Sequence, residues 1–250
     1  MRIDVLTLFP EMFEGPMNHS MMWKAQEYHL IDFRLHNIRE YTTDRHRTAD
    51  DIPYGGGGGM IMKADVLARA LDDVIMQDAE AIKPPVIFLS PQGRLLSHKV
   101  AAELSQHPRL VLLCGHYEGI DERIAELYIT DQISIGDYVL TNGEIAAMVL
   151  IDAVARHIPG LLGSEGAHER DSHADGLLEG PHYTRPPVFQ GLAVPDVLQK
   201  GNHADIEIWR RQQALRRTWQ HRPDLLLKAE LSEEDRYFLA QLAEESHTKK

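Results

Sequence analysis

The sequence predicts an α/β fold in which a largely parallel β-sheet is covered by helices, followed by a small helical C-terminal domain. Over residues 1–160, short apolar runs of strand length alternate with segments of helical periodicity. Such alternation is typical of parallel sheets, because parallel strands are joined by crossover connections that are usually helices. A polar, glycine-rich stretch then interrupts the pattern, and beyond residue 194 the apolar spacing is helical.

Five strands are predicted in the first region. They are placed at 2–9, 33–38, 86–90, 110–114 and 131–135. Leu67 and Leu71 share one face of a predicted helix, because residues four apart are neighbours on a helix. Thr141 and Glu144 have the spacing of a capping box and predict the start of another helix, which Pro159 ends.

The chain is therefore predicted to have three parts. They are a ligand-binding domain at 1–160, a flexible linker at 161–180 and a helical domain at 181–250. In the last part Asn202 is a good N-cap, and Ser232 with Asp235 indicates a second cap. The alternative is that these helices extend the first domain, but the glycine-rich linker favours a separate one.

Composition restricts the class of protein. Hydrophobic residues make up 43% of the chain and charged residues 26%, which is near the globular average. The single cysteine, Cys114, excludes an intramolecular disulfide and fits a reducing cytoplasm. No apolar run approaches the roughly 20 residues that span a bilayer, and no secretory signal is evident. We therefore expect a cytoplasmic protein without a membrane partner.

The net charge of −12 disfavours a protein that coats nucleic acid, because phosphate contacts require Lys and Arg. Arginines are nevertheless concentrated in two places, early at Arg39, Arg45 and Arg47 and late at Arg210, Arg211, Arg216, Arg217 and Arg222. A focused basic patch lets an acidic protein bind one RNA through defined contacts. The simpler interpretation is that these arginines are solvent-exposed charges on helix faces and bind no RNA. Composition alone favours this interpretation.

Three glycine-bearing turns follow predicted strands. They are Ser90–Gly93, Gly115–Gly119 and Gly136–Gly143. Glycine lets a backbone approach a ligand closely, and the polar residues of the turns supply donors and acceptors. Because the carboxyl ends of parallel strands lie at one edge of a sheet, we expect a ligand crevice there. The pentaglycine Gly55–Gly59 lacks the Gly-Lys-Ser/Thr of a phosphate loop, so it predicts no nucleotide site.

A metal site is a further alternative. Its candidate ligands are His168, Asp171, His173, Asp175 and His182. Their spacing lacks the regularity of a zinc site and no second cysteine assists, so linker histidines facing solvent are favoured. Cys114 follows two leucines, which indicates a buried, unreactive thiol.

A series of short motifs extends along most of the chain. They are Leu6–Phe13, Asp44–Asp51, Pro53–Gly57, Ser90–Gly93, Tyr117–Arg123, Ser134–Leu140, Pro181–Pro186, Val194–Pro195 and Gly201–His203. In this order and spacing they resemble the bacterial tRNA (guanine-N1-)methyltransferases, a family of the SPOUT class of RNA methyltransferases, to about Leu242. The chain departs from the family pattern at Gly58, His116, Asn142 and Ala146, where proline, arginine, glycine and proline are common.

The resemblance implies a trefoil-knotted sheet and a homodimer whose active sites draw on both chains. It implies methyl transfer from S-adenosyl-L-methionine to N1 of the guanosine 3′ of the anticodon in tRNA. Asp171 is expected to be the general base and Arg156 to stabilise charge on the guanine. Mg²⁺ is a possible second cofactor, and no residue is assigned to a metal.

The resemblance also assigns binding residues. The cofactor is expected to contact Leu89, Ser90, Pro91, Gly115, Tyr117, Glu118, Ile135, Gly136, Asp137, Tyr138, Val139, Leu140, Asn142 and Gly143. The tRNA is expected to contact Asp50, Tyr54, Arg210, Arg211, Arg216 and Arg217.

Three other functions remain open on the sequence. One is a SPOUT methyltransferase with another RNA target. Another is a catalytically silent RNA-binding protein of the same fold. The presence of Asp171, Arg156 and Gly115 disfavours this alternative. The third is an unrelated nucleotide-binding α/β enzyme, which would need a phosphate motif that the sequence lacks.

Overall fold

The computed structural model describes residues 1–56, 58–77, 83–163 and 171–248. The chain divides into two compact units, Met1–Glu165 and Gly166–Lys250. The strands of the first unit are β1 (Arg2–Thr7), β2 (Asp32–Asn37), β3 (Asp50–Asp51), β4 (Ile61–Met62), β5 (Val86–Leu95), β6 (Arg109–Cys114) and β7 (Asp131–Ser134).

Five of these strands form one sheet in the order β2-β1-β6-β5-β7, and every neighbouring pair in it is parallel. The predicted parallel sheet is therefore confirmed. Strands β3 and β4 form a separate antiparallel pair. Strand β5 continues beyond its predicted end, because Leu89 and Arg94 both pair with Ile133 of β7. Gly93 lies against the backbone of Gln132, where a Cβ atom has no room.

In the part of the first unit that the structure describes there are six helices. They are α1 (Glu14–Met17), α2 (Ser20–Glu27), α3 (Ala64–Met76), α4 (His98–Ser105), α5 (Glu122–Tyr128) and α6 (Glu144–Ala155), with 3-10 turns at Pro10–Phe13 and Ile38–Tyr41. One core joins the sheet to α2, α4 and α6, and a second core joins it to α3 and α5. In β6, Leu112 belongs to the first core and Leu113 to the second, as alternation along a strand requires. The expected flanking helices are therefore present on both faces.

A buried carboxylate joins three strands at the amino end of the sheet. Asp4 is fully buried and accepts hydrogen bonds from Arg2, His36 and Arg109, each at 2.8 Å. Burial by itself raises the pKa of Asp4, but these three hydrogen bonds outweigh it and lower the pKa to about 2. Arg109 also donates to the carbonyl of Gln77, so the cluster fastens the end of α3 to β6.

The start of α6 differs from the prediction. The helix begins at Glu144 with Gly143 at the N-cap, and no side chain caps it. The Glu144 carboxylate instead accepts a hydrogen bond of 2.6 Å from the Thr7 hydroxyl at the end of β1. The capping-box prediction is therefore wrong, because the Glu144 side chain bonds Thr7, which is distant in sequence, and does not bond Thr141 at the helix end.

The described residues of the second unit form a short hairpin and four helices. They are β8 (Val188–Phe189), β9 (Leu192–Ala193), α7 (Asp196–Gln199), α8 (His203–His221), α9 (Pro223–Leu226) and α10 (Glu233–Thr248). Asn202 caps α8 by accepting from the amide of Ala204, as predicted. Ser232 and Asp235 exchange hydrogen bonds of 3.0 and 3.1 Å at the start of α10, which confirms the second capping box. None of the helices in the described part of the chain has the length and apolarity that crossing a membrane requires.

Part of the segment assigned to a linker packs inside the second unit. Leu177 is buried, and the amide of Leu178 donates to the Thr218 hydroxyl of α8 at 2.9 Å. The guanidinium of Arg217 donates to the carbonyl of Gly180 at 3.2 Å. Residues 171–180 therefore pack against α8, whereas 164–170 lie outside the described residues.

Candidate ligand site at the carboxyl edge of the sheet

A cavity of about 370 Å³ opens at the carboxyl ends of β5, β6 and β7. Most of its walls come from three stretches, 88–92, 115–120 and 132–143, that end or follow these strands. Parallel strands bring such loops to one edge of a sheet, and the volume is typical of small-molecule sites. The crevice expected from the glycine-bearing turns is therefore present.

Most residues assigned to the cofactor line this cavity. Thirteen of the fourteen do so, and Asp137 is the exception. The cavity also has lining residues that were not assigned, namely Phe88, Gln92, His116, Gly119, Ile120, Glu122, Ala125, Gln132, Ile133, Ser134, Thr141 and Ala146. Several of these, such as Phe88 and Ser134, lie at the strand ends just before the glycine turns. Their position next to the turns is a sequence signal that could have identified them. Glu122 and Ala125 lie on α5, and no sequence signal marks their approach.

Gly143 fits tightly between two loops of the wall. Its amide donates to the carbonyl of Gly115 at 2.9 Å. A Cβ atom at Gly143 would lie 2.8 Å from the amide nitrogen of Gly115 and 2.9 Å from the Cα of Cys114. Glycine is required here because backbone, and not a movable side chain, fills the space.

The turn after β7 is held by its own side chains. The Ser134 hydroxyl accepts from the amide of Gly136 at 3.2 Å. The Tyr138 phenol donates to the carbonyl of Ile135 at 3.2 Å, and its ring covers Gly136 where a Cβ atom has no room. Tyr138 is 56% exposed and lines the cavity, so its partly exposed ring forms one border of the site.

Two departures from the family pattern are neighbours in space. His116 and Asn142 form an isolated antiparallel β-bridge, and both line the cavity. The His116 ring contacts the rings of Phe9 and Tyr117, with centroid distances of 5.1 and 4.4 Å. His116 Nδ1 and Asn142 Oδ1 are buried, and neither has a hydrogen-bond partner among the described residues. The two departures therefore alter one wall of the cavity together.

The β3–β4 hairpin is fastened to the loop after β6. The amide of Glu118 donates to the carbonyl of Met60, and the amide of Met62 donates to the carbonyl of Gly119, both at 3.0 Å. The hairpin contains Asp50 on β3 and Tyr54, whose side chain is fully exposed. Of the glycine run, Gly59 lies against the side chain of Glu118, a residue of the cavity wall, and Gly57 lies outside the described residues.

Arg156 lies far from the cavity of its own chain. It is exposed at the C-terminal end of α6, whereas Ala146 is the last residue of the helix that lines the cavity. At 1.5 Å per residue the helix separates the backbones of Ala146 and Arg156 by about 15 Å, which is beyond the reach of an arginine side chain. Asp171 belongs to the second unit, where its carbonyl accepts from the amide of Ala174 at 3.1 Å.

The four arginines assigned to the tRNA have partners within the second unit. Arg210 pairs with Glu207 at 3.0 Å, Arg216 lies 5.9 Å from the ring centroid of Phe238, and Arg217 donates to backbone carbonyls. Arg211 is shared between the carboxylates of Asp235 and Asp175. The hydrogen bond with Asp235 raises the pKa of Arg211, with further stabilisation from Asp175. Arg211 therefore holds the unit together, and Arg210 is the most exposed of the four.

Two chemical alternatives can be compared with the structure. In the described part of the chain, His, Cys, Asp and Glu residues form no group of three or more that could hold a metal ion. His168 lies outside the described residues. The Cys114 thiol is buried as predicted, and burial together with the nearby charge of Glu144 raises its pKa. A raised pKa disfavours the thiolate, so Cys114 is unsuited to nucleophilic attack.

Comparison with known proteins identifies the family. The family model described as tRNA (guanine-1)-methyltransferase TrmD matches residues 1–228. A tRNA (guanine-N(1)-)-methyltransferase of Geobacter sulfurreducens is 56% identical over 245 residues, covering 98% of this chain and 99% of its own length. A protein of the same name from Dehalococcoides mccartyi is 53% identical over 248 residues and 99% of each chain. With a family match over nearly the whole chain and relatives this similar, the chain belongs to the tRNA (guanine-1)-methyltransferase TrmD family of SPOUT enzymes.

Proposed function

We propose that the protein transfers a methyl group from S-adenosyl-L-methionine to N1 of the guanosine 3′ of the anticodon in tRNA. The observation that carries the proposal is the cavity. Thirteen residues from three separate stretches of the chain converge on it, and each was assigned to the cofactor from the family resemblance. Family membership supports the reaction class and the tRNA substrate.

The cavity suits the cofactor chemically. Leu89, Ile135 and Leu140 offer apolar surface for a flat base, and the close-packed glycines bring backbone amides and carbonyls to its wall. S-adenosyl-L-methionine supplies a methyl group activated by its sulfonium. The role of the cavity walls is to bind this molecule, to orient its methyl group and to exclude water from it.

The acceptor nitrogen needs help from acid–base groups. Guanine N1 carries a proton and is a poor nucleophile until a base removes it, and a positioned base typically contributes 10²–10⁴-fold. We assign this role to Asp171. Loss of the proton develops negative charge on guanine O6, which the guanidinium of Arg156 stabilises as a charge-assisted donor.

A second copy of the chain completes the site in this proposal. Since about 15 Å of helix α6 separates Arg156 from the cavity wall of its own chain, its guanidinium acts on the cavity of a partner in this proposal. The proposal therefore includes a homodimer whose sites draw on both chains. It is supported by the distance within one chain and by the family.

The trefoil knot is also part of the proposal. Strand β5 pairs twice with Ile133 of β7, once before and once after the Ser90–Gly93 turn. The chain leaving β7 at the sheet edge then returns past β5 to bond Gly115 through Gly143. The return of the chain past β5 supports the knot that the family resemblance implies.

The tRNA would lie over the hairpin that contains Asp50 and Tyr54 and along the helical C-terminal domain. Exposed Tyr54 is free to stack on a base, and the exposed guanidinium of Arg210 can pair with phosphate. Arg216 and Arg217 are assigned to the same surface. Arg211, which is held by two carboxylates, would contribute mainly by shaping it. Modification of tRNA also supports a cytoplasmic location.

The experiment is methylation of an unmodified tRNA transcript with labelled cofactor, followed by mapping of the modified base. We expect label at N1 of the guanosine 3′ of the anticodon, and none in a transcript that carries adenosine there. A parallel reaction with a chelator tests the requirement for Mg²⁺. Label at another nucleotide would identify a different RNA target, and RNA binding without any label would identify a silent binding protein.

A further inference from the structure

A buried carboxylate lies directly beneath the candidate site. Glu144 is fully buried although it is the first residue of α6, and it follows the two cavity-lining residues Asn142 and Gly143. One carboxylate oxygen, Oε1, accepts from the Thr7 hydroxyl at 2.6 Å. The other, Oε2, has no hydrogen-bond partner among the described residues. Burying a carboxylate with so few partners costs stability, so its presence calls for a functional explanation.

The hydroxyl of Thr7 is directed at this carboxylate. It accepts a hydrogen bond of 2.9 Å from the amide of Phe9, so its own hydrogen is left to donate to Glu144. The ring of Phe9 in turn contacts the ring of His116 in the loop after β6. Thr7 therefore connects the end of β1 to both loops that meet at the cavity.

We infer that the Thr7–Glu144 hydrogen bond is a positioning device for the cofactor, which holds the Asn142–Gly143 wall against the loop after β6. Glu144 does not line the cavity itself, and it acts by fixing the start of α6 relative to the sheet. The backbone of Gly115 and Cys114 already fills the space beside the Cα of Gly143. Because these backbones are in close contact, a shift of the start of α6 also shifts the cavity wall. The inference rests on the proposed use of the cavity for S-adenosyl-L-methionine.

The test uses Thr7→Val, which keeps the branched shape and removes the hydroxyl. We expect the dissociation constant for S-adenosyl-L-methionine, measured by calorimetry on the full chain, to rise about tenfold. In steady-state assays KM for this cofactor should rise while KM for tRNA stays unchanged. Thr7→Ser, which restores the hydroxyl, should return the constant to within about twofold of the wild type.

Thr218→Val is the matched control. Thr218 is also fully buried, accepts from the amide of Leu178 at 2.9 Å and donates to the carbonyl of Ala214 at 2.7 Å, but it lies in the second unit. It should lower the unfolding temperature and leave cofactor affinity unchanged. An equal loss of affinity in Thr218→Val would overturn the inference, because any loss of stability would then explain the result.

Glu144→Met separates positioning from stability if Thr7→Val fails to fold. Replacing a buried charge by an apolar side chain of similar length is often neutral or stabilising, so the unfolding temperature should not fall. Affinity for the cofactor should still fall about tenfold, because the link to Thr7 is lost. Wild-type affinity in Glu144→Met would overturn the inference. A wild-type protein that does not bind the cofactor would refute the proposed function, and the inference with it.

Discussion

Gly143 offers the sharpest test of the cavity wall, through the substitution Gly143→Ala. Its backbone has φ −84° and ψ −12°, which alanine adopts freely, so only the contact with neighbouring backbone opposes the change. The added Cβ would lie 2.8 Å from the amide nitrogen of Gly115, which is well inside ordinary van der Waals distance. Backbone on one side must therefore move by about half an ångström, and interiors are packed too densely to absorb this freely.

The magnitude follows from two losses. Overpacking of this kind typically costs about 1–3 kcal/mol. The hydrogen bond from the Gly143 amide to Gly115 is stretched as well, which adds about 1 kcal/mol. We therefore expect the free energy of unfolding to fall by about 2–4 kcal/mol and affinity for S-adenosyl-L-methionine to fall at least tenfold.

Scanning calorimetry measures the first quantity and titration calorimetry the second. Gly15→Ala is the control, because nothing lies within 4 Å of a Cβ atom there and the residue is in a helix, where alanine is favoured. Gly15→Ala should leave cofactor affinity unchanged and should not lower stability. If Gly143→Ala bound the cofactor as tightly as Gly15→Ala, the close contact between the two loops would not shape the binding site.

Further predictions concern other parts of the proposal. Asp171→Asn should keep cofactor binding but lower the single-turnover rate of methyl transfer at least 10²-fold, and a near-wild-type rate would exclude it as the base. Arg210→Ala should weaken tRNA binding and reduce the slope of log affinity against log salt by about 0.7–0.9, as expected for one lost phosphate contact; identical salt titrations would remove that side chain from the interface. Its neighbour Arg211 pairs with two carboxylates, so Arg211→Ala should chiefly lower the unfolding temperature, and full thermal stability would contradict the structural role. The lowered pKa of Asp4 contributes about 2 kcal/mol to the free energy of unfolding. This contribution should be complete above the ordinary pKa of 3.8 and should be lost as pH falls towards the folded pKa of about 2. Asp4→Asn should abolish this part of the acid dependence in unfolding measured between about pH 5 and pH 2, and an unchanged acid dependence would be evidence against the buried cluster.

Local signals in the sequence were enough to predict much of the first unit. The runs at 86–90 and 110–114 read as buried strands because both faces of a parallel sheet are covered, so nearly every residue in them is apolar. The glycine turns after them predicted where the cavity lies, since parallel strands end at a common edge. The caps at Asn202 and Ser232 were predictable because a cap is made with residues only two or three positions away.

Only the tertiary structure decided which distant groups meet. The pair Thr141 and Glu144 has the spacing of a capping box, yet Glu144 bonds Thr7, which is 137 positions away. Arg211, which is assigned to the tRNA from its charge and position, lies between two carboxylates, one of them 36 positions earlier in the chain. Spacing along a chain reports contacts within one helix or turn, whereas the order of strands sets which side chains from different elements come within hydrogen-bond distance. That order is the result of packing two hydrophobic cores on one sheet, and no single segment of the sequence contains it.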